Sequence, residues 1–315
     1  MPEKRPEWLY ALYFRLRTWK STVAPAQWPF HRNEPFRPFF IVGSGRCGTT
    51  LLRRMLQVSP RIHICPESYV LGQAINLFRK YAHVLNWREM VHLILARYAY
   101  RQGAYALNIP LRDLANRLVD IPKEKRSLAL IIDSFYRYYG DRMGQTFERW
   151  GEKSTTNTFH VPRIFRVFPN AQFIHLLRDG LDVAHSFVQV GLQPDVESAA
   201  RRWQWTVRLV RRFARAHPEI TLELRYEDLV QRPADVLRTT CQFLDIEFDP
   251  AMIEATEHTA SMGDVPFHRH HANVMKPVFT GSIGKGRRAL TSEQKQRLQE
   301  MIGPLLEETG YEPAI

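Results

Sequence analysis

Cysteine is scarce in this chain of 315 residues, which has only Cys47, Cys65 and Cys241. The number is odd and no pair has C-x-x-C spacing, which argues against a disulfide framework or a zinc cage and favours a reducing compartment. Long apolar runs are also lacking, because runs such as residues 8–14 fall far short of the ~20 residues of a membrane span. That run has no small-residue cleavage site of a secretory signal either. The sequence therefore predicts a soluble, cytoplasmic protein.

Acidic residues are few relative to basic ones. The chain has 44 Lys and Arg against 32 Asp and Glu, which gives a formal net charge of +12 and a pI near 9.8. Such an excess predicts an anionic partner: nucleic acid, a phosphorylated small molecule, an acidic polymer or an anionic membrane. With 44% hydrophobic and 24% charged residues the composition is that of a globular protein, which excludes a disordered or fibrous chain.

The first 36 residues form a basic, aromatic segment that the prolines at positions 25, 29 and 35 interrupt. This segment is interpreted as a short helix that packs on the body of the protein, or as an amphipathic anchor in which residues 1–20 contact a membrane peripherally. No repeat, low-complexity tract or linker divides the remainder, so residues 37–315 are predicted to form one domain.

Strand and helix patterns alternate along the chain. Residues 39–42, 171–177 and 220–224 are short apolar runs typical of buried strands, and each precedes a helical pattern. Residues 70–145 are predicted to be mostly helical. The alternation predicts an α/β fold, a single domain with a central parallel sheet flanked by helices.

A glycine-rich loop joins the first strand to its helix. Gly43 and Gly48 have the spacing of the nucleoside-triphosphate P-loop, G-x-x-x-x-G-K-[ST], but Thr49 stands in place of the lysine. Losing that lysine argues against ATP or GTP hydrolysis. The glycines, the Thr49 and Thr50 hydroxyls and the helix N-terminus still suit an anion, and Arg46 adds charge. The loop is predicted to bind a phosphate or sulfate without a metal.

Two motifs resemble those of a known family. Gly45-Arg46-Cys47-Gly48-Thr49-Thr50 resembles the 5′-phosphosulfate loop of sulfotransferases, which use 3′-phosphoadenosine 5′-phosphosulfate (PAPS), and is closest to the Golgi and bacterial branches. Residues 178–186 resemble the family's 3′-phosphate motif, which implies that Arg178 and Ser186 bind that phosphate. The two motifs occur in the family's order, and the resemblance spans about residues 38–300. It implies the P-loop-like sulfotransferase fold.

Three further segments are similar to the family's. Lys153, in Glu-Lys-Ser, resembles the lysine that reaches the donor sulfonate, and Tyr226 resembles a tyrosine near the adenine. Residues 280–287 resemble the loop that closes over the nucleotide, which implies contacts from Lys285 and Gly286. Gly286 stands where the family commonly has a tryptophan, so the resemblance is weaker at this loop.

Sulfonyl transfer requires cations at the leaving group and a general base for the acceptor. The predicted cations are Arg46 and Lys153. The predicted base is Glu67, which resembles the catalytic glutamate of the tyrosine-sulfating relatives in spacing and context. The alternative is that Glu67 only pairs with a nearby arginine. Fallback bases are His63, His160 and Glu152.

Two other functions fit parts of the sequence. Cys47 and Arg53 fit the C-x5-R signature of cysteine phosphatases, but Arg46 replaces the usual preceding histidine and Arg54 the usual following hydroxyl residue. A non-catalytic anion-binding or nucleic-acid-binding protein is suggested by the arginines between positions 201 and 215, although a solvated helix face is the preferred interpretation and no nucleic-acid motif occurs. The histidines at positions 268, 270 and 271 lack ligand partners, so no metal is expected.

The sequence thus predicts a PAPS-dependent sulfotransferase that releases 3′,5′-ADP. The basic charge favours an acidic glycan or glycolipid as the acceptor, with tyrosine or a lipid as alternatives. No specific nucleic acid is expected as a partner.

Overall fold

A five-stranded parallel sheet organises the protein. The computed structural model describes residues 26–100, 109–254, 256, 262 and 275–315. The strands are β1 (Phe39–Val42), β2 (Ile62–Ile64), β3 (Arg149–Glu152), β4 (Gln172–Leu177) and β5 (Thr221–Arg225). Their order is β2-β3-β1-β4-β5, and every neighbouring pair is parallel. In the central strand, Phe39 is in register with Gly151 of β3 and with Gln172 of β4.

Helices connect the strands. Those before β4 are α1 (Thr49–Leu56), α2 (Leu71–Tyr81), α3 (Trp87–Ala99), α4 (Arg112–Val119), α5 (Leu128–Arg142) and α6 (Val161–Val167). Those after β4 are α7 (Gly180–Gln189), α8 (Val196–Ala216), α9 (Tyr226–Gln231), α10 (Pro233–Leu244), α11 (Ala251–Glu254), α12 (Lys285–Ala289) and α13 (Ser292–Glu308). Short 3₁₀ helices lie at Lys123–Lys125, Thr155–His160 and Pro218–Ile220.

The predicted fold class is confirmed, and the apolar runs correspond to β1, β4 and β5. Strands β2 and β3 were not predicted from the sequence. The first reads Ile-His-Ile, an alternation too short to mark a strand, and the second reads Arg-Trp-Gly-Glu, which has no apolar run. The predicted helical region, residues 70–145, contains α2 to α5 among its described residues.

The sheet is buried on both faces, as parallel sheets are. Every residue of β1 is fully buried, and its side chains alternate between two cores. Phe40 packs among the aromatic rings of Trp150, Phe168 and Phe173 on the face covered by α2 to α6. Ile41 lies on the other face, in the core that includes residues of α1 and α10. This double burial fixes the positions of the strand ends.

Residues 26–36 pack on the helical layer. Trp28 is buried, with its ring 5.5 Å from that of Trp87, and the backbone carbonyls of Pro29 and Phe30 accept hydrogen bonds from the start of α5. The interpretations of residues 1–20 fall outside the described residues.

All five strands deliver a predicted site residue to the same edge of the sheet. The phosphate loop follows β1, Glu67 follows β2, Lys153 follows β3, Arg178 follows β4 and Tyr226 follows β5. Because the strands are parallel, their carboxyl ends meet at one edge, where open α/β sheets bind ligands. The topology therefore gathers residues from Gly45 to Tyr226, which lie far apart in the chain.

Candidate active site

The phosphate loop has an unusual backbone. Gly45, Arg46 and Gly48 have φ of 85°, 58° and 92°, and Gly48 is the N-cap of α1, which has no side-chain cap. A Cβ on Gly48 would lie 2.4 Å from the Tyr226 ring, so only glycine fits there. Left-handed residues before a helix turn backbone N–H groups into a concave anion site, and the helix dipole adds to its attraction.

Cys47 is not placed for nucleophilic chemistry. Its side chain is fully buried, and a Cβ added to Gly43 would lie 2.6 Å from the Cys47 Sγ. Burial raises the pKa of this thiol, although a phosphatase needs it lowered. Arg53 donates to the Gln57 side chain at 3.1 Å and to the Met262 carbonyl at 2.8 Å, away from the loop. These observations argue against the phosphatase alternative.

The two predicted phosphate motifs interlock. Arg178 donates from Nη1 to the carbonyl of Arg46 at 3.0 Å, and Arg46 donates from Nε to the Ser186 Oγ at 3.2 Å. Burial and the positive charge of Arg178 lower the pKa of Arg46. Arg178 is buried, so little solvent screens the repulsion between the two positive guanidinium groups. An anion between or beside them would therefore be favoured.

Tyr226 supports this cluster. Its buried ring lies 4.5 Å from the Arg178 guanidinium carbon, and it packs against Gly48. The structure thus places Tyr226 between the two motifs, where it orients Arg178 by a cation–π contact.

The loop of residues 280–287 docks onto α7 through Asp182. This buried carboxylate accepts from Gly284 N at 2.8 Å and Gly286 N at 2.6 Å, and from Arg178 Nη2 at 3.3 Å. A Cβ on Gly286 would lie 2.3 Å from the Leu181 carbonyl oxygen, so the close approach requires glycine. Gly286 is therefore buried against α7, whereas its neighbour Lys285 is exposed.

Glu67 and Lys153, two of the three predicted catalytic residues, lie together with the phosphate-loop residue Thr50. Lys153 is 1% exposed, donates to the Thr50 Oγ1 at 2.9 Å and forms an ion pair and hydrogen bond with Glu67. Glu67 is 8% exposed. Lys153 thus contacts both the phosphate-loop helix and the candidate base.

The fallback bases lie elsewhere. His63 stacks near Tyr139 and Phe147 and lines a different cavity, and burial with the charge of Arg53 lowers its pKa to about 4. His160 packs against Gly72, and burial lowers its pKa too. Glu152 is fully buried under hydrogen bonds from neutral side chains. Neither histidine nor Glu152 lines the cavity that opens at Glu67 over the phosphate loop.

A cavity of about 430 Å³ opens over the loop and the candidate base. Its lining includes five predicted site residues, which are Gly45, Arg46, Thr49, Thr50 and Glu67. It also includes residues that the sequence did not single out, which are Tyr69, Thr155, Phe187, Leu192, Gln193 and Arg202. Tyr69 has a left-handed φ of 53°, a strained conformation for an aromatic residue that is found mainly at functional sites.

Arg202 is the most informative residue that sequence reasoning missed. It donates to the Ser44 carbonyl at 3.1 Å, and its guanidinium lies 4.8 Å from the Phe159 ring and 5.6 Å from the Phe187 ring. The sequence grouped it with the solvated arginines of α8, four of which are indeed exposed, namely 201, 208, 212 and 215. Its position next to the buried Trp203 was the available signal that Arg202 borders the packed face.

No metal site or membrane span emerges from the described part of the chain. Within it, no group of three His, Cys, Asp or Glu side chains could hold a metal ion. Residues 268, 270 and 271 lie outside it. None of the helices within the described ranges is both long and apolar enough to cross a bilayer.

Comparison with known proteins decides the family. A model described as "Sulfotransferase family" matches residues 38–250, which is more than half of the chain. The chain belongs to the sulfotransferase family. The predicted enzyme class, a sulfotransferase that uses PAPS, is therefore confirmed.

This sulfotransferase is similar to characterised relatives across most of its length. Protein-tyrosine sulfotransferase 1 of Danio rerio is 22% identical over 320 residues, covering 99% of this chain and 81% of the relative. The sulfotransferase domain of the Synechococcus PCC 7002 olefin synthase superposes with a TM-score of 0.56 at 22% identity, covering 86% of this chain and 98% of that one. The sulfotransferase domain from the curacin biosynthetic pathway gives 0.58 at 19%, covering 89% and 99%. At these identities the two superpositions show the fold.

Proposed function

We propose that the enzyme holds PAPS in the phosphate loop and the Arg178–Ser186 cluster and passes its sulfonate to an acceptor hydroxyl in the cavity at Glu67. The observation that carries this proposal is the hydrogen-bonded contact between two phosphate motifs 132 residues apart, with a lysine–glutamate pair beside them. A generic anion loop would need neither the second motif nor the pair.

The residues present fit a nucleotide with two separated phosphate positions. The first is the loop, with its three left-handed residues and uncapped helix start. The second is Arg178, whose buried Nε has no hydrogen-bond partner within the described residues. An unsatisfied buried guanidinium N–H next to the Arg46–Ser186 hydrogen bond supports an anion at that point. Tyr226, packed between both positions, would confine the nucleotide.

Bound PAPS supplies an activated sulfonate, which passes to the acceptor oxygen as 3′,5′-ADP leaves. Lys153 and Arg46 would offset the negative charge that grows on the leaving phosphate, assisted by the Thr49 and Thr50 hydroxyls and the first N–H groups of α1. Glu67 would accept the proton of the acceptor hydroxyl. Its ion pair with Lys153 orients the carboxylate, which lines the same cavity as the phosphate loop.

The proposed acceptor is an acidic molecule that presents a ring hydroxyl. The cavity wall combines the Arg202 guanidinium with the rings of Tyr69 and Phe187, a combination that suits an anionic group next to a flat or cyclic surface. An acidic glycan or glycolipid, favoured by the overall charge, matches this description. Tyrosine in an acidic peptide is the second candidate, because relatives of this chain are protein-tyrosine sulfotransferases.

A transfer assay tests the proposal. Purified enzyme, radiolabelled PAPS and a panel comprising chondroitin, a uronic-acid glycolipid, an acidic tyrosine peptide and a neutral sterol would be assayed for label in the acceptor. We expect label in an acidic member of the panel and none in the sterol. PAPS binding without transfer to any member would contradict the proposed acceptor class.

Arg202→Met, compared with Arg208→Met on the exposed face of the same helix, tests the cavity wall. The first change should raise KM for the acidic acceptor about 10- to 100-fold, because a charge-assisted contact is lost. The second change should leave KM within about twofold, because Arg208 is exposed and does not line the cavity. Equal effects would remove Arg202 from acceptor binding.

We also propose that the enzyme acts in the cytoplasm, with peripheral membrane contact through residues 1–20 as a second element of the proposal. All three cysteines are free and buried, which suits a reducing compartment. Fractionation of the native host into cytosol and washed membranes tests both parts.

A further inference from the structure

Glu152 is a buried carboxylate surrounded by hydrogen-bond donors from two chain segments. It ends β3 and is 0% exposed. Ser68 donates to it from Oγ at 3.0 Å and from N at 3.5 Å, Ser154 donates from N at 3.2 Å and from Oγ, and Asn157 donates from Nδ2. Such a concentration of neutral donors on one buried oxygen pair calls for an explanation beyond core packing.

The two segments carry the catalytic pair. Ser68 directly follows Glu67, and Ser154 directly follows Lys153. One further bond joins the segments, from Tyr69 N to the Ser154 Oγ at 3.1 Å. The neighbours of the candidate base and of the candidate cation are thus tied to a single carboxylate, and that carboxylate lies outside the reaction cavity.

We propose that Glu152 is a positioning residue that fixes the distance and orientation of Glu67 and Lys153. This rests on the proposed function in giving that pair its catalytic task, but the positioning itself is a property of the fold. A buried carboxylate that accepts from both segments acts as a rigid clamp, because each broken bond leaves a buried donor unpaired. The clamp lets Lys153 stay nearly inaccessible while its ammonium remains in contact with Thr50 and Glu67.

Burial disfavours the charged form of this acid. Burial raises the pKa of Glu152, with the nearby charge of Glu67 acting in the same direction, while the bonds from Ser154 and Ser68 oppose the shift. No cation is bonded to this carboxylate within the described residues, so its burial is costly. That cost is consistent with a positioning role, which a neutral core side chain without acceptor oxygens could not take.

The decisive variant is Glu152→Gln, and Asp133→Asn is its matched control. Glutamine keeps the shape but turns an amide donor toward Ser68, Ser154 or Asn157, so the clamp opens. Asp133 is also a buried carboxylate that supports β3, because it accepts from the Trp150 Nε1 at 2.8 Å. It contacts neither Glu67 nor Lys153 within the described residues, so Asp133→Asn controls for a general loss of stability.

The readout is the rate at which an amine-reactive acetylating reagent labels Lys153 in the nucleotide-free protein, followed by mass spectrometry. We expect labelling at least about tenfold faster in Glu152→Gln, since local opening exposes the ammonium, and an unchanged rate in Asp133→Asn. A folded Glu152→Gln protein with Lys153 as protected as in the wild type would overturn the proposal, as would equal acceleration in both variants. If Glu152→Gln does not fold, Ser154→Ala takes its place. This variant removes one donor to Glu152 and should still label Lys153 faster than the wild type does, although by less than about tenfold; an unchanged rate would overturn the proposal.

A second measurement asks whether Glu152 acts through Glu67. With an acceptor from the transfer assay, the double variant Glu67→Gln/Glu152→Gln should be within about twofold of Glu67→Gln alone in kcat, because a positioning residue has nothing left to position. If the two substitutions lower kcat independently, so that their fold-losses multiply in the double variant, Glu152 has a separate structural role. If Lys153 is labelled faster in Glu152→Gln but neither the wild type nor any variant transfers sulfonate, the proposed function is refuted and the positioning role of Glu152 still stands.

Discussion

Glu67 and Lys153 meet as an ion pair although they lie 86 residues apart in the chain. Each follows the end of a short strand that the sequence did not reveal, and the pairing of β2 with β3 brings them together. The residue types and the motif context were enough to select both residues as candidates. Their mutual contact was not predictable, because it depends on strands without a hydrophobic signature.

Substitution of Glu67 tests the proposed base. Glu67→Gln should lower kcat by about 100-fold or more, because a general base contributes that much, while 3′,5′-ADP binding stays within about threefold. Steady-state kinetics and calorimetry measure the two effects. A variant with full turnover would exclude Glu67 from proton transfer.

Substitution of Cys47 separates transferase from phosphatase chemistry. Because the Sγ is buried and its pKa is raised, Cys47→Ser should change kcat for sulfonate transfer by no more than about threefold. The same protein is assayed with 4-nitrophenyl phosphate. Phosphatase activity that disappears in Cys47→Ser would revive the rejected alternative.

At the scale of elements, the strand ends determine the site, and local patterns predicted only part of the sheet. Strands β1 and β4 have apolar runs and β5 alternates leucine with polar residues, so the phosphate loop, Arg178 and Tyr226 could be placed correctly at strand ends. The positions of β2 and β3 in the sheet, and the hydrogen bonds that join Arg46 to Arg178 and Ser186, follow from tertiary packing that no local pattern encodes. The inward direction of Arg202 on α8 was missed because the residue was grouped with the exposed arginines of that helix.

The contact between α7 and the loop of residues 280–287 depends on Asp182. Asp182→Asn keeps the shape but removes the charge that accepts from two backbone N–H groups and from Arg178. We expect faster hydrogen exchange at Gly284 and Gly286 and about 10-fold weaker 3′,5′-ADP binding. The exposed Lys285 provides the control: Lys285→Met should not accelerate exchange at Gly286. Unchanged exchange in Asp182→Asn would show that the loop is held by other contacts.

At the scale of the whole molecule, the stability of the fold should depend on pH through His63. The folded protein holds the pKa of this residue near 4 instead of the usual 6.5, so the unfolded chain takes up a proton first as the pH falls. Stability from this group is therefore complete above pH 6.5 and is lost on acidification toward pH 4, by roughly 2 kcal/mol at pH 5. Denaturant unfolding at pH 7.5 and pH 5 should show a smaller acid loss in His63→Gln than in the wild type. Equal losses would mean that other groups dominate.

In the proposed function, the edge of the sheet at the carboxyl ends of the strands binds both phosphates of the sulfonate donor. Calorimetric titration with 3′,5′-ADP, without added metal and with AMP as the control, tests this most directly. We expect 3′,5′-ADP to bind at least about tenfold more tightly than AMP, because the 3′-phosphate gains charge-assisted bonds from Arg178, and we expect Arg178→Met to abolish the difference. Equal affinities for the two nucleotides in the wild type would contradict it.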